Sequence, residues 1–177
     1  VVMDSHTGKI VAASQRPTFD AQTKEGLTNV WRNTLLEDAY EPGSTMKVLT
    51  VASAINSGNY DSNATYRSGS YVIDGSTVYD WNRSGWGNIT VKEGFMRSSN
   101  AVMAQLEQKM GKKTWMSYIR KFGLLRPVGA GLGAESSGNI NYTYAFDQAN
   151  TAYGQGIDVT VIQMMQAFSA IANKGKM

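Results

Sequence analysis

The sequence contains no cysteine, which excludes disulfide bonds, thiol catalysis and cysteine-ligated metal sites. It contains one histidine, His6, so a metal site built from several histidines is excluded and a Ser-His-Asp triad would depend on His6 alone. His6 lies in a predicted turn, where a solvated side chain is the simpler interpretation. A serine nucleophile in this chain would therefore take a lysine as its base.

Long apolar runs and dense clusters of one charge are also absent. No apolar segment approaches the length needed to cross a bilayer, and the first residues do not resemble a signal peptide. Charged residues make up 18% of the chain and the net charge is +3, with no run of lysine and arginine dense enough to indicate a nucleic-acid partner. Hydrophobic residues make up 42% of the 177 residues, which is typical of a globular domain with its own core.

The spacing of apolar residues and turn formers predicts two β-hairpins and several helices. One hairpin joins Val1–Asp4 to Ile10–Ala13, and the other joins Tyr71–Ile73 to Thr77–Tyr79. The predicted helices lie within Leu27–Leu36, from Ser44 to a stop at Gly58, after a capping box at Thr90, over Ala101–Gly111, over Thr114–Phe122, and after a second capping box at Thr160. The last of these is apolar on nearly all sides and is expected to be buried, whereas residues 126–145 are predicted to form a loop.

The stretch Glu41–Lys47 is predicted to be a turn that leads into a helix. Pro42 fixes its own φ and Gly43 allows a tight turn. If the helix begins near Ser44, the Ser44 hydroxyl and the Lys47 amine lie on one face, at a helix N-terminus whose free N–H groups favour an anion. A serine that attacks a carbonyl needs a base, oxyanion donors and rigid placement. An N-cap serine with a solvated lysine explains a bare S-x-x-K equally well, so this spacing is not decisive by itself.

A second polar motif, Ser98-Ser99-Asn100, lies between two predicted apolar helical runs. Polar groups placed near a core need hydrogen-bond partners, so the triplet is a candidate for a functional site. The alternative is that Ser98 or Ser99 only caps the second helix. Trp81 and Trp86 lie in a loop between the two motifs, where they either pack the loop or line a cleft.

Glu41–Lys47, Arg97–Asn100 and Tyr153–Thr160 together resemble the penicillin-binding proteins, most closely the class B, monofunctional transpeptidases of Gram-positive bacteria. Asp4–Ala12 resembles their opening hairpin, and the resemblance runs along nearly the whole chain. It implies an α/β (α+β) fold of the β-lactamase/transpeptidase type, in which helices flank an antiparallel sheet. This chain would hold only the opening hairpin and the mostly helical part of that fold.

By this resemblance, Ser44 is the acylated nucleophile and Lys47 is its base partner, whose pKa must be lowered by burial or by a second cation. Ser98 would hydrogen-bond Lys47 and relay a proton to the leaving group. Asn100 would point its amide donor at the substrate carbonyl and its acceptor at Lys47, and the Ser44 N–H would form half of an oxyanion hole. Further substrate contacts are expected from Ser99, Gln155 and Trp81. The resemblance implies no metal and no cofactor.

One departure from the family concerns its third motif, Lys-Ser/Thr-Gly, which does not occur in this sequence. In the family this motif lies on a sheet strand. That strand supplies the second oxyanion donor and part of the carboxylate-binding surface. We therefore expect residues 1–177 to be a partial transpeptidase domain, without the third motif and the remaining sheet strands. Loss of one oxyanion donor costs about 100-fold or more in rate, so the chain alone is expected to be inactive or weak.

The resemblance implies a D,D-transpeptidase that cross-links peptidoglycan stem peptides and that β-lactam antibiotics inhibit covalently. One alternative is a serine β-lactamase or β-lactam sensor; its deacylating base would be Glu135, whose surroundings do not resemble the lactamase base loop. Another alternative is a catalytically silent module of cell-wall assembly. The resemblance also implies the extracytoplasmic face of the membrane, an anchoring N-terminal helix outside this chain, and other division or elongation proteins as partners.

Overall fold

The computed structural model describes every residue of the chain, 1–177, and contains nine short strands and seven α-helices. The strands are β1 (Val2–Met3), β2 (Ile10–Ala12), β3 (Ala39–Tyr40), β4 (Thr65–Arg67), β5 (Ser70–Ile73), β6 (Ser76–Tyr79), β7 (Asn88–Thr90), β8 (Asn139–Ile140) and β9 (Ile157–Thr160). The helices are α1 (Thr34–Glu37), α2 (Met46–Asn56), α3 (Val91–Met96), α4 (Asn100–Met110), α5 (Lys112–Lys121), α6 (Ala145–Thr151) and α7 (Val161–Ala172).

These elements group into two compact units. Unit one contains Val1–Tyr40, Phe122–Gly138 and Val159–Met177, and unit two contains Glu41–Lys121 and Asn139–Asp158. Every strand pair in the chain is antiparallel, as expected for the α/β fold. The strands are short and are distributed over four small sheets instead of one continuous sheet.

Unit one contains the opening hairpin, in which β1 pairs with β2 as the sequence predicts. Asp4 stabilises the connecting turn by accepting the His6 N–H at 2.8 Å, and His6 itself is exposed. The predicted capping box at the start of α7 is also present: Thr160 Oγ1 accepts the Gln163 N–H at 3.2 Å, and Gln163 Oε1 accepts the Thr160 N–H at 2.8 Å. Two N–H groups of the first turn are therefore satisfied.

Two helix predictions in unit one need correction. The helix expected within Leu27–Leu36 is confined to α1, because Asn33 caps it by accepting the Leu35 N–H at 3.2 Å and the preceding residues form turns. Helix α7 is not buried on all sides, since Ile171 is 42% exposed. An apolar composition alone does not establish how many faces of a helix are covered.

Unit two has a helical core in which α2, α4, α5 and α6 pack together. Its fully buried apolar side chains include Met46, Leu49, Met103, Trp115 and Ile119. The Trp115 indole donates to Thr151 Oγ1 at 2.7 Å, which joins α5 to α6. Helix α5 begins two residues before the predicted Thr114. Helix α6 was not predicted, because the sequence indicated a loop as far as residue 145. Few large apolar residues mark α6, and burial of small side chains such as Ala149 stabilises it instead.

The hairpin predicted around residues 71–79 is confirmed as β5 and β6. Its two turn residues, Asp74 and Gly75, both have positive φ, at 47° and 81°, which suits the tight turns that match the twist of a hairpin. The sequence did not predict the flanking pair β4–β7, whose strands are separated by residues 68–87 of the chain. Such non-local pairing leaves no turn signal between the partners.

A close backbone contact holds the turn before α2 in place. Gly43 donates its N–H to the Gly154 carbonyl at 3.0 Å, and both residues have positive φ. A Cβ atom added to Gly154 would lie 2.1 Å from the Gly43 oxygen and 2.4 Å from its nitrogen, so no side chain fits there. Glu41 extends this contact by accepting the Gly156 N–H at 2.7 Å. The position of Ser44 therefore depends on the segment that follows α6.

We predict that Gly154→Ala lowers the free energy of unfolding by about 2 kcal/mol more than Gly156→Ala, as measured by urea denaturation. Both residues have positive φ, at 81° and 67°, so the backbone penalty is similar. Only Gly154 adds a steric clash, because the nearest atom to a Cβ on Gly156 lies at 4.0 Å. Equal losses for the two variants would contradict the proposed role of this contact.

Candidate active site

Ser44 lies in a 3₁₀ turn, Gly43–Thr45, that leads directly into α2, close to the predicted helix start. Its side chain is exposed, whereas the preceding Pro42 is buried. The Ser44 N–H belongs to the first turn, where helical N–H groups lack intrahelical partners and carry partial positive charge. A hydroxyl is thus accessible at a position suited to stabilising an anion.

Lys47 is only 2% exposed, and its ammonium group is directed at Ser98. Lys47 Nζ donates to the Ser98 carbonyl oxygen at 2.6 Å and to Ser98 Oγ at 3.0 Å. Ser98 Oγ also lies 3.0 Å from Ser44 Oγ. The structure therefore brings together three of the sequence-predicted residues, with the Ser98 hydroxyl bridging Ser44 and Lys47.

Ser98 occupies the junction between α3 and α4, with a positive φ of 56°. The N–H groups of Ser98 and Ser99 donate to the carbonyls of Phe95 and Gly94 at 3.0 and 2.9 Å, which is the Schellman arrangement that ends a helix. Glycine usually occupies this left-handed position, because a side chain there carries an energetic cost. A serine in this place indicates that its hydroxyl is held there against local preference.

Burial lowers the pKa of Lys47 from its ordinary 10.5 to about 8, because a desolvated ammonium is disfavoured. The negative charge of Asp80 opposes part of this effect and raises the pKa. Burial is one of the two causes anticipated from the sequence, whereas no second cation contributes. A lysine with a pKa near 8 has a substantial neutral fraction at mildly alkaline pH and can accept a proton there.

Asn100 is the first residue of α4, and its side chain is oriented differently from the expectation. Its Nδ2 group donates to the Tyr79 carbonyl oxygen at 2.9 Å, at the end of β6. Both hydrogen bonds of Lys47 go to Ser98, so the expected bond from Lys47 to Asn100 is not formed. The contact with Tyr79 connects the hairpin to the start of α4, close to Ser98.

The expected contact between Ser99 and substrate is not compatible with its position. Ser99 is completely buried, and its hydroxyl donates to Asp80 Oδ1 at 2.8 Å while accepting the Val102 N–H at 3.2 Å. Ser99 thus caps α4, which was the structural alternative for this triplet. Asp80 was not among the predicted site residues, because its only signal in the sequence is an acidic residue directly after a predicted strand.

Trp81 and Gln155, the other expected substrate contacts, are both exposed. The Trp81 indole is 74% exposed and donates its Nε1–H to the Arg97 carbonyl oxygen at 3.0 Å. Its ring meets the Trp86 ring edge to face, with centroids 5.5 Å apart. Trp81 therefore anchors the peptide that precedes Ser98 and still presents a free ring surface. Gln155 follows Gly154 in the turn that contacts Gly43, and its side chain faces solvent.

One known protein family matches the chain along its whole length. Residues 1–177 match the family described as "Penicillin binding protein transpeptidase domain". The chain belongs to this family. No helix of the chain combines the length and apolar character that a membrane span requires.

Individual relatives support the same assignment. Stage V sporulation protein D of Bacillus subtilis is 34% identical over 182 residues, which cover 99% of this chain and 28% of that protein. Peptidoglycan D,D-transpeptidase FtsI of Escherichia coli is 26% identical over 179 residues, which cover 99% of this chain and 30% of that protein. Penicillin Binding Protein 2X from Streptococcus thermophilus superposes with a TM-score of 0.88 and 39% identity, covering 98% of this chain and 26% of the other.

These comparisons confirm the transpeptidase-like fold that the resemblance implied. The chain spans less than a third of the length of each of these three relatives. Within that span it carries an accessible serine hydroxyl, a bridging serine and a buried lysine of lowered pKa. Chemically, this arrangement can move a proton from Ser44 towards Lys47 while Ser44 attacks an electrophile.

We predict that acylation of Ser44 by a penicillin becomes faster as the pH rises, with a midpoint near 8, the pKa of Lys47. Below the midpoint Lys47 is an ammonium and cannot accept a proton, so the rate falls about tenfold per pH unit. The measurement is stopped-flow or gel-based acylation between pH 6 and 9, in the longest natural polypeptide that carries these residues.

The matched variants for this pH profile exchange lysine for arginine. Lys47→Arg should acylate at no pH in this range, because a guanidinium stays protonated. Lys92→Arg makes the same change at an exposed position and should leave the profile unchanged. A rate that does not vary between pH 6 and 9 would contradict the assignment of Lys47.

Proposed function

We propose that the protein carrying this chain is a D,D-transpeptidase that cross-links peptidoglycan through a serine acyl-enzyme. The observation that carries the proposal is the Ser98 hydroxyl, which lies 3.0 Å from both Ser44 Oγ and Lys47 Nζ. This geometry provides the route for a proton that a serine nucleophile needs. The substrate class follows from family membership and from a relative named as a peptidoglycan D,D-transpeptidase.

In the proposed acylation, Ser44 Oγ attacks the carbonyl carbon of the peptide bond between two terminal D-alanines. Its proton passes to neutral Lys47, directly or through the Ser98 hydroxyl. The carbonyl oxygen becomes an oxyanion, which the Ser44 N–H at the start of α2 stabilises. The tetrahedral intermediate then collapses and the C–N bond breaks. The departing D-alanine amine takes the proton back from Lys47 through the Ser98 hydroxyl.

The second half-reaction transfers the acyl group from Ser44 to an amine of a neighbouring stem peptide. That amine attacks the ester carbonyl and passes its proton to Lys47. The C–O bond to Ser44 then breaks, and Lys47 returns the proton to Ser44 Oγ, which restores the hydroxyl. A β-lactam would acylate Ser44 in the same way, because its strained amide replaces the scissile peptide bond. The amine released from the ring stays attached to the adduct, and slow hydrolysis of that adduct makes the antibiotic an inhibitor.

Two observations favour a transpeptidase over a serine β-lactamase. Glu135, the carboxylate considered as a deacylating base, accepts the N–H groups of Gly129 and Ala130 at 2.9 and 2.6 Å. These backbone donors lower its pKa, which makes it a weaker base. The relative named D,D-transpeptidase adds a second reason. A catalytically silent assembly module is less favoured, because a buried lysine that donates to the Ser98 carbonyl and hydroxyl has an energetic cost that a scaffold does not require.

Several finer assignments belong to this proposal. Relatives from Bacillus subtilis and Streptococcus thermophilus, at 34% and 39% identity, support a class B transpeptidase of a Gram-positive bacterium. Peptidoglycan as substrate supports a position on the extracytoplasmic face of the membrane, with an anchoring helix outside these residues and other wall-synthesis proteins as partners. The absent Lys-Ser/Thr-Gly motif supports the view that residues 1–177 hold only part of the catalytic site.

The proposed function predicts a covalent adduct on Ser44 when the protein is incubated with benzylpenicillin. Intact-protein mass spectrometry should show an increase by the mass of one antibiotic molecule, and Ser44→Ala should abolish it.

Ser98→Ala should slow the reaction about 100-fold, as expected for loss of a proton-transfer group. The chain alone should react about 100-fold more slowly than the longest natural polypeptide, because the family's second oxyanion donor is not among these residues.

Ser76→Ala is the matched control, because Ser76 is an exposed serine at the start of β6 and should react like the wild type. The same samples, given a chromogenic cephalosporin, distinguish the alternatives. Sustained turnover would favour a β-lactamase, and the absence of any adduct on the longest natural polypeptide would favour a silent module. A stable stoichiometric adduct together with D-alanine release from a stem-peptide mimic would support the transpeptidase.

A further inference from the structure

A buried carboxylate lies directly beneath the Ser98-Ser99-Asn100 junction. Asp80 follows β6, is 2% exposed and accepts three hydrogen bonds. Its Oδ1 accepts the Ser99 hydroxyl at 2.8 Å and the Ala101 N–H at 2.9 Å, and its Oδ2 accepts the Gly69 N–H at 2.8 Å. A buried carboxylate is unfavourable unless such partners compensate for lost hydration, so this set of donors fixes its position.

Asp80 connects three segments of unit two. The Gly69 N–H and carbonyl both bond to Asp80, which joins the two ends of the β5–β6 hairpin. The Ala101 N–H belongs to the first turn of α4, so the carboxylate also satisfies an otherwise unpaired donor and interacts favourably with the helix dipole. The Ser99 hydroxyl ties Asp80 to the residue that directly follows Ser98.

These contacts explain how Ser98 is kept in an unfavourable backbone conformation. A residue other than glycine at positive φ persists only where its surroundings determine its geometry. On one side of Ser98, the end of α3 supplies the carbonyls of Gly94 and Phe95. On the other side, Asp80 holds Ser99 and the start of α4. Without that second attachment, the Ser98 hydroxyl would no longer be fixed between Ser44 and Lys47.

Asp80 also acts on Lys47 through its charge. It is the one charged group whose field shifts Lys47, and it favours the ammonium form against the effect of burial. The hydrogen-bond partners of the amine, the Ser98 carbonyl and hydroxyl, are neutral. A lysine that alternately accepts and returns a proton needs both forms to be accessible near the working pH.

We propose that Asp80 is a positioning residue for the transpeptidase reaction: by holding Ser99 and the start of α4, it fixes the Ser98 hydroxyl between nucleophile and base. The inference rests on the proposed function. The accompanying effect of the Asp80 charge on Lys47 is a property of the folded protein and can be measured without turnover.

The first experiment compares Asp80→Asn with the wild type in the longest natural polypeptide that carries these residues. Asparagine preserves the size of the side chain and one acceptor but removes the negative charge. We expect acylation by benzylpenicillin to slow about 100-fold, because misplacing a reacting group by about 1 Å costs that much. We also expect the midpoint of the pH profile to fall by about one unit, because loss of a nearby anion destabilises the lysine cation.

Two further variants separate positioning from charge. Ser99→Ala removes the hydroxyl tether and retains the Asp80 charge, so acylation should slow while the pH midpoint stays unchanged. Asp74→Asn is the matched control, because it makes the same chemical change in the exposed turn of the hairpin, at a positive φ that asparagine tolerates. It should leave both rate and midpoint unchanged. Circular dichroism tests whether each variant is folded. If Asp80→Asn does not fold, Ser99→Ala alone tests the positioning role.

A direct titration of Lys47 by NMR, with ¹³C at lysine Cε, makes the charge effect independent of activity. The Lys47 signal should titrate at lower pH in Asp80→Asn than in the wild type and in Asp74→Asn. A wild type that titrates as expected but never forms a Ser44 adduct would overturn the proposed function and leave the charge effect standing. Unchanged rates and an unchanged Lys47 titration in Asp80→Asn would overturn the inference. Slower acylation with an unchanged titration would support the positioning role and overturn the effect of the Asp80 charge on Lys47.

Discussion

The hydrogen bonds from the buried Lys47 ammonium to Ser98 are the interaction on which unit two depends. An ammonium group removed from water is strongly unfavourable unless oxygen atoms surround it. The Ser98 carbonyl and hydroxyl provide those atoms, so α2 must pack where the α3–α4 junction lies. The same desolvation lowers the pKa of Lys47. One energetic cost of the fold therefore supplies the base that the proposed reaction needs.

The α3–α4 junction concentrates conformational strain in one functional residue. Helix α3 ends with a Schellman arrangement and α4 begins with a serine cap, and these two termination signals leave only Ser98 between them in the left-handed region. A short, doubly capped connection has little freedom to relax. A hydroxyl attached to it is therefore placed more reproducibly than one in a long loop, as proton transfer between hydrogen-bonded groups requires.

Backbone contacts position Ser44, the proposed nucleophile, as side-chain contacts position Ser98, the serine that bridges Ser44 and Lys47. Gly43 and Gly154 approach so closely that no side chain fits on Gly154. Glu41 extends the contact by accepting the Gly156 N–H. The turn that carries Ser44 is therefore attached to the segment after α6, although no catalytic group lies there. The Tyr153–Thr160 stretch, which the sequence resemblance groups with the two polar motifs, therefore contributes to the placement of Ser44.

The sequence by itself determined the local geometry of the site, because that geometry depends on short-range rules. The three-residue spacing of Ser44 and Lys47 on a helix start, the polar triplet between two apolar helical runs, and the 71–79 hairpin are all encoded within about ten residues of chain. The resemblance to a known family then joined the motifs into one site. Missed elements such as α6 and the β4–β7 pair lacked a strong local signal, since burial and non-local pairing stabilise them.

Only the tertiary structure decided which polar residues face substrate and which are buried. Ser99 and Asp80 are ordinary polar residues in the sequence, yet both are buried and bonded to each other. The role of Gly154 likewise depends on a neighbour more than one hundred positions away. Hydrogen bonding and desolvation act between groups that folding brings together, so their energies cannot be assigned until the distances are known. The lowered pKa of Lys47 has the same origin, because burial is a property of the packed protein and not of the S-x-x-K spacing.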